Sequence, residues 1–365
     1  MTVEVNVIHT DAASATVDRP GGQALLTESV AGLAPWQEAL MLYVGADLRR
    51  SVLNVMTSVV PYLGLSVVMY LLVNRSYPLT LLVAVPAAGF LVRTYIVFHD
   101  CAHGSFLRSK RANRWLGTVL GLLVFQSFAS WRHSHAVHHA TAGDLDRRGV
   151  GDVPTITVAE YRAQSPRARL QYRLFRNPVV MFGLGPVIAL IIQPRIVPHG
   201  ARPRIRRSVL ATDAVLAAMV AAMCVLVGVR DLLLVQGPVV MLGGAAGIWL
   251  FYVQHQFEDV YWESSGHWSY LDTALHGSSY LKLPKVLQFF SGNIGLHHVH
   301  HLNARIPNYN LQRANDEVAL FRGVPTMSLL DGLRAVKLKL YDEDRHCMVT
   351  FAQARVSEQR PAGAL

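Results

Sequence analysis

The chain has 365 residues, 52% of them apolar and only 16% charged, with a formal net charge of +10 and a positive mean hydropathy. Several apolar runs are long enough to cross a bilayer, so two ordinary soluble domains are excluded and an integral membrane protein with a polar lobe is expected. Arginine far outnumbers lysine. No basic helix or aromatic-basic stripe accompanies it, so the charge reads as loops held beside anionic lipid and nucleic acid is excluded as a partner.

Residues 1–34 are small, polar and punctuated by Gly and Pro, and are expected to form a mobile tail. Residues 1–18 hold no Lys or Arg and no apolar core, so no signal peptide is expected. Residues 35–50 read as an amphipathic helix at the membrane surface, with Trp36 and Tyr43 set against Arg49 and Arg50. A first span covers 52–73 with Pro61 inside it, 74–78 is a tight turn, and a second span covers 79–98.

Apolar runs at 115–129 and 179–192 follow. At about fifteen residues each they are short for a span. Either one crossing alone would separate the histidine clusters or put basic flanks on both faces, so both read as re-entrant or interfacial. Two further spans, 209–229 and 232–252, are joined by Arg230-Asp231. Four spans in two hairpins place both termini, the 99–208 loop and residues 253–365 on one side. That side carries nearly all the Lys and Arg and is therefore expected to be cytoplasmic.

Every histidine cluster falls on that same side. His99 and His103 stand at i, i+4 just past the second span. His135, His138 and His139 stand at i, i+3, i+4, and His297, His300 and His301 repeat that spacing. On helices, each set shares one face. His133 and His298 fall outside those registers. A ninth imidazole, His255, follows the last span.

A mononuclear zinc enzyme needs about three protein ligands; eight or nine clustered imidazoles suit two metals. Imidazole alone does not choose between iron, copper, zinc and nickel. A site at the end of a membrane bundle, open to an apolar substrate, favours iron activating O2. No HExxH, serine nucleophile elbow or Gly-rich phosphate loop is present to support hydrolysis. Asp100, Asp152, Glu258 and His298 are candidate outer partners of the ligands, with Asp144 and Asp146 of equal standing. Trp131 and Trp262 either line the path of the apolar substrate or anchor the interface. Cys101, Cys224 and Cys347 are odd in number and far apart, giving neither a disulfide framework nor a CxxC site, which fits a reducing compartment.

The boxes HDCAH at 99–103, HAVHH at 135–139 and HHVHH at 297–301, with the run-out NARIPNYNL at 303–311, resemble the membrane fatty acid desaturases of the bacterial and cyanobacterial acyl-lipid type. The resemblance covers about residues 50–315. It implies an all-α integral membrane protein with four transmembrane helices in two hairpins, interfacial or re-entrant helices and a cytosolic helical lobe holding a di-metal site. It further implies two non-haem irons, O2 as co-substrate and a double bond placed in a fatty acyl chain on a lipid or an acyl carrier. The eight box histidines would be the ligands. His255 joins them because relatives take a further histidine after the last span, and Phe251 stands where some offer an asparagine through water. No catalytic residue is expected beyond the metal centre.

Electrons would come from a separate donor of ferredoxin, cytochrome b5 or rubredoxin type. The expected setting is a bacterial inner membrane with the active site cytoplasmic. Residues 35–320 would form the membrane domain and 321–365 a cytosolic C-terminal tail. The same scaffold also serves hydroxylation, acetylenation or decarboxylation to an alkene. A divalent-metal transporter is the competitor from another class, although transporters set their ligands near the bilayer midplane rather than past the span ends.

Overall fold

The computed structural model describes residues 34–356. The expected tail at 1–34 lies outside the described residues, except for Ala34. The surface helix expected over 35–50 is broken. Helix α1, Pro35–Met41, is followed by Gly45 at φ 117°, a conformation that ends helical pairing. Asp47 then caps a new helix by accepting the Arg50 N–H at 2.9 Å. Tyr43 and Arg50 are not free surface groups: Tyr43 Oη donates to Glu317 at 2.7 Å, and the Arg50 guanidinium bonds Asn310 and the Tyr309 carbonyl.

Among the described residues, four helices are long and apolar enough to cross a membrane: α2 (Leu48–Leu72), α3 (Tyr77–His103), α9 (Pro203–Val227) and α10 (Val229–His255). Both α3 and α10 run past their expected ends, so that His99, His103 and His255 stand on continuous helix. At the opposite tips, Asn74 donates to Asp231 at 2.5 Å and accepts from Arg230 at 2.8 Å, clamping the two hairpin turns together. Along α3, Ala84, Ala87 and Ala88 are buried. Gly243 of α10 comes so close that a Cβ there would sit 3.3 Å from the Ala88 carbonyl. Small residues of this kind let helices touch where lipid supplies no hydrophobic drive. Leu82, Val225 and Leu226 are exposed on the outer faces.

Between the hairpins lie α4 (Lys110–Leu123), α5 (Phe128–Thr141), α6 (Val158–Ala163), α7 (Pro166–Phe175) and α8 (Pro178–Gly183). The 115–129 run is split by Phe125 at φ 60°. The 179–192 run is α8 followed by a π-helical stretch, Val187–Ile192. Neither is a span.

The lobe adds α11 (Tyr270–His276), α12 (Lys285–Phe290), α13 (His297–Leu302), α14 (Asn308–Glu317), α15 (Leu329–Ala335) and α16 (Phe351–Val356). It also contains two small sheets. β1 (Ile156–Thr157) pairs in parallel with β4 (Leu340–Asp342), and β4 pairs antiparallel with β5 (Cys347–Val349). β2 (Tyr280–Leu281) pairs in parallel with β3 (Thr326–Met327). Residues 321–356 are therefore not a tail. Leu340, Tyr341, Met348 and Val349 are buried in the lobe's core, a gain that a free tail would forgo. Arg176 is fully buried and donates to the Pro154 carbonyl, Tyr252 and Gln256. It thereby ties α7 to the last turn of α10.

Candidate metal centre

Four helix segments deliver the imidazoles. α3 ends directly after His103 because Gly104 adopts the left-handed conformation at φ 72° and donates its N–H to the carbonyls of Asp100 and Cys101. His99 and His103 thus occupy its final turn, with ring centroids 4.6 Å apart. α5 carries His135, His138 and His139, and the indole of Trp131, one turn earlier, stacks on His135 at 4.3 Å. α13 is short, entered through Gly292 and Asn293 at φ 54° and 62°. Gly295, just before it, lies so close to β2 that a Cβ would stand 2.5 Å from the Leu281 carbonyl oxygen. His255 sits in the last turn of α10, its Nδ1–H donating to the Gly277 carbonyl at 3.0 Å.

These nine side chains form two groups: His99, His103, His135, His139 and His300 in one, and His138, His255, His297 and His301 in the other. Within each group the possible ligand atoms lie within 4.8 Å of one another. The rings meet Nε2 to Nε2. His139 is 3.2 Å from His135 and 3.0 Å from His300, while His255 is 3.1 Å from His138 and 2.9 Å from His297.

Three of the rings have Nδ1 committed elsewhere. His99 Nδ1–H donates to Asp100 at 3.1 Å, His138 Nδ1–H to Asp152 at 2.5 Å and His255 Nδ1–H to Gly277. A neutral ring with Nδ1 protonated turns a bare lone pair inward at Nε2. His103 Nε2 and His301 Nε2 are buried with no hydrogen-bond partner among the described residues. Converging lone pairs repel unless a cation lies between them.

Protonation does not relieve the repulsion. Burial first, and then the neighbouring imidazoles, hold His135, His139, His297, His300 and His301 well below the usual histidine range. The donor set therefore fits two nitrogen-seeking metal ions, one per group.

Of the expected outer partners, Asp100 and Asp152 hold rings of the two groups as described. Glu258 does not: its side chain is exposed and its carbonyl accepts the Met348 N–H at 2.7 Å. The reason is local, since α10 ends at His255 and Gln256 (φ −132°) turns the chain away. His298 is buried but outside both groups. Its ring lies against Tyr280 and Phe321, its Nε2 bonds Asn315 at 3.0 Å, and burial pushes it down to about 4. Asp144 accepts from Arg147 and Ser265, and Asp146 accepts from the Ser265 N–H; neither bonds a histidine among the described residues. Trp262 lines a hollow of about 10 Å³ with His138, Asp152 and His255. Phe251 packs on the rings of His138 and His255.

Asn308 and Gly277 were not singled out by spacing. Asn308 gives Asp100 two hydrogen bonds, at 2.7 and 2.8 Å. Its one sequence signal is an amide following Pro307 at a helix start.

The family model described as "Fatty acid desaturase" matches residues 76–324, a stretch that contains all nine histidines of the two groups. The chain belongs to the fatty acid desaturase family. It is 45% identical to "Fatty acid desaturase" of Bacillus subtilis, over 84% of this chain and 87% of that one. It is 26% identical to the "sn-1 acyl-lipid omega-3 desaturase (ferredoxin)" of Synechocystis, over 61% of this chain and 63% of the other. A Synechocystis "sn-1 oleoyl-lipid 12-desaturase" is 24% identical over 62% and 64%. The protein is a desaturase-type oxidoreductase with membrane-spanning helices. In this fatty acid desaturase, two hairpins bring the ends of α3 and α10 beside α5 and α13, and the two histidine groups form where they meet.

Proposed function

We propose that the protein introduces a double bond into the fatty acyl chain of a membrane lipid, using O2 and two electrons from a separate donor. The overall change is RCH2CH2R + O2 + 2 e− + 2 H+ giving RCH=CHR + 2 H2O. The observation that carries this reading is the inward meeting of Nε2 lone pairs in two separate groups. His99, His103, His135, His139 and His300 would hold one iron, and His138, His255, His297 and His301 the other. When bound, the irons supply the activation of O2 that breaking unactivated C–H bonds requires.

The chain's own residues set up that site. Asp100 and Asp152 fix ring orientation and keep the proton on Nδ1 of His99 and His138. Tyr95, Phe98 and Trp131 pack edge to face beside His99 and His135 and exclude water from that flank. No side chain is assigned a proton-transfer role. The lipid substrate rests on the likeness to both Synechocystis acyl-lipid desaturases, and a ferredoxin-type donor on the likeness to the omega-3 desaturase alone. A bacterial inner membrane rests on the likeness to the Bacillus subtilis desaturase, and the cytoplasmic placing of this face on the distribution of Arg and Lys.

The test is metal content together with turnover of a defined acyl lipid, comparing the parent with His300→Ala. About two irons per chain, a product lacking two hydrogens and loss of both in the variant are expected. A single zinc, or an active metal-free protein, would overturn the reading. A product that has gained oxygen would replace desaturation by hydroxylation.

A further inference from the structure

On the far side of the aromatic wall from the histidines lies a cavity of about 340 Å³. α4 contributes Arg114 and Thr118, α5 contributes Phe128, and α9 contributes Arg204, Arg207 and Ser208. The hollow is built into the packing. Gly117 lets Phe128 pack so close that a Cβ would stand 2.1 Å from its ring. Ser208 Oγ meets Ser127 Oγ at 2.9 Å and accepts the Ala129 N–H at 3.3 Å, fixing the start of α9 against α5.

The arginines around it are uncompensated. Residues 101–143 and 196–212 contain no Asp or Glu. The nearest acid on α9, Asp213, is taken by Arg195 at 2.9 Å. Arg114, Arg132, Arg204 and Arg207 have no acidic partner among the described residues. Arg132, next along α5, is depressed by partial burial and by the repulsion of Arg204 and Arg114, so the three cations share one neighbourhood. Arginines that only hold a span end beside lipid need no common hollow. Arg114, Arg204 and Arg207 line one from two helices, over an aromatic floor, at the end of a span whose outer face is apolar. Phosphate is the anion that several guanidinium forks recognise best, and a span end is where lipid phosphates lie.

The pocket is also joined to the metal centre. Phe128, its floor, meets Phe98 at 5.8 Å; Phe98 meets Trp131 at 5.1 Å; and Trp131 stacks on His135. We propose that this cavity receives the phosphate of a phospholipid headgroup and so selects phosphate-bearing acyl lipids as substrates. The proposal rests on the acyl-oxidation reading for the word substrate, but not for binding.

The test uses the full-length protein, purified and delipidated in detergent. It is titrated with dioleoylphosphatidylglycerol, with dioleoylglycerol, which has the same chains and no phosphate, and with inorganic phosphate as competitor. Wild type should prefer the phospholipid by about tenfold or more, and R204Q/R207Q should lose that preference. Metal content should be unchanged in the variant, which shows that it has folded. R204K/R207K should retain part of the preference, and Thr118→Glu, which adds an anion to the hollow, should abolish it. In turnover, R204Q/R207Q should raise KM for the phospholipid.

Equal affinity for the two lipids, or a preference that survives R204Q/R207Q, would overturn the proposal. Inorganic phosphate competing as tightly as the phospholipid would assign a free-anion site instead and overturn it too, as would a variant defect confined to acyl chains on a carrier protein. If no acyl chain is oxidised while the phosphate preference stands, the acyl-oxidation reading falls and the pocket remains.

Discussion

Asn308 donates both its backbone N–H and its side-chain amide to one oxygen of Asp100, while the other oxygen of Asp100 accepts from His99 Nδ1. The start of α14 thus orients a ring on α3, and Asn54 of α2 closes the set by donating to Asn308 at 3.0 Å. Substituting Asp100→Asn replaces an acceptor by an amide that cannot serve all three donors. The expected result is a loss of metal affinity of about 10–100-fold with the helices intact. Metal retention after dialysis against a graded chelator measures it, with circular dichroism as the fold check. Retention equal to wild type would show that Asp100 does not orient His99.

The histidine registers and the four spans were legible because each is a local pattern, a helical repeat or a continuous apolar run. The link from Asn308 to Asp100 was not, since it joins residues 208 apart in the chain through a tertiary contact. Glu258 misled because nearness in sequence to His255 implies nearness in space only while the helix continues. The strands in the C-terminal segment, two or three residues each, are too short to show an alternating pattern. Nothing in the sequence sets Arg176 apart from the arginines around it, and only the folded lobe shows that its donors point inward.

Gly295 sets the approach of α13 to β2. Its own carbonyl accepts the Leu281 N–H at 2.8 Å, so the two backbones are bonded where a Cβ would intrude. Neither side of that contact is a flexible side chain. Gly295→Ala should destabilise the lobe by about 2–4 kcal/mol and misplace His297, lowering metal content. A thermal midpoint and iron content equal to wild type would contradict this.

Acid should destabilise the metal-depleted protein. His135, His139, His297, His300 and His301 are held well below the ordinary range by burial and by one another. In the unfolded chain they titrate near 6.5. Below about pH 6.5 the unfolded chain therefore binds protons that the folded chain refuses, and stability falls as pH falls; above it, these groups contribute no slope. Thermal midpoints of the metal-free protein, taken from about pH 7.5 down to about pH 5, should fall steadily. A flat profile would mean that the rings are not buried as described.

Lys339 offers a test with a different pH window. Its Nζ is buried without a hydrogen-bond partner among the described residues and lies 5.4 Å from the centre of the Tyr252 ring. Burial first, and then the fully buried Arg176, push its ammonium down to about 7. An unfolded lysine titrates near 10.4. Between about 7 and about 10.4 the unfolded chain holds a proton that the folded chain has released, so stability rises with pH across that window. Below about 7 the charged amine is buried and its cost is fully present. Lys339→Met keeps the length of the stem and removes the charge. It should therefore stabilise the protein by about 1–3 kcal/mol near neutral pH and flatten the rise toward alkaline pH. Thermal midpoints of the two proteins at about pH 6 and about pH 10 make the comparison. A variant less stable than wild type at the lower pH would mean that the ammonium has a partner in the folded protein, and the cation-π contact with Tyr252 would then be the first to examine.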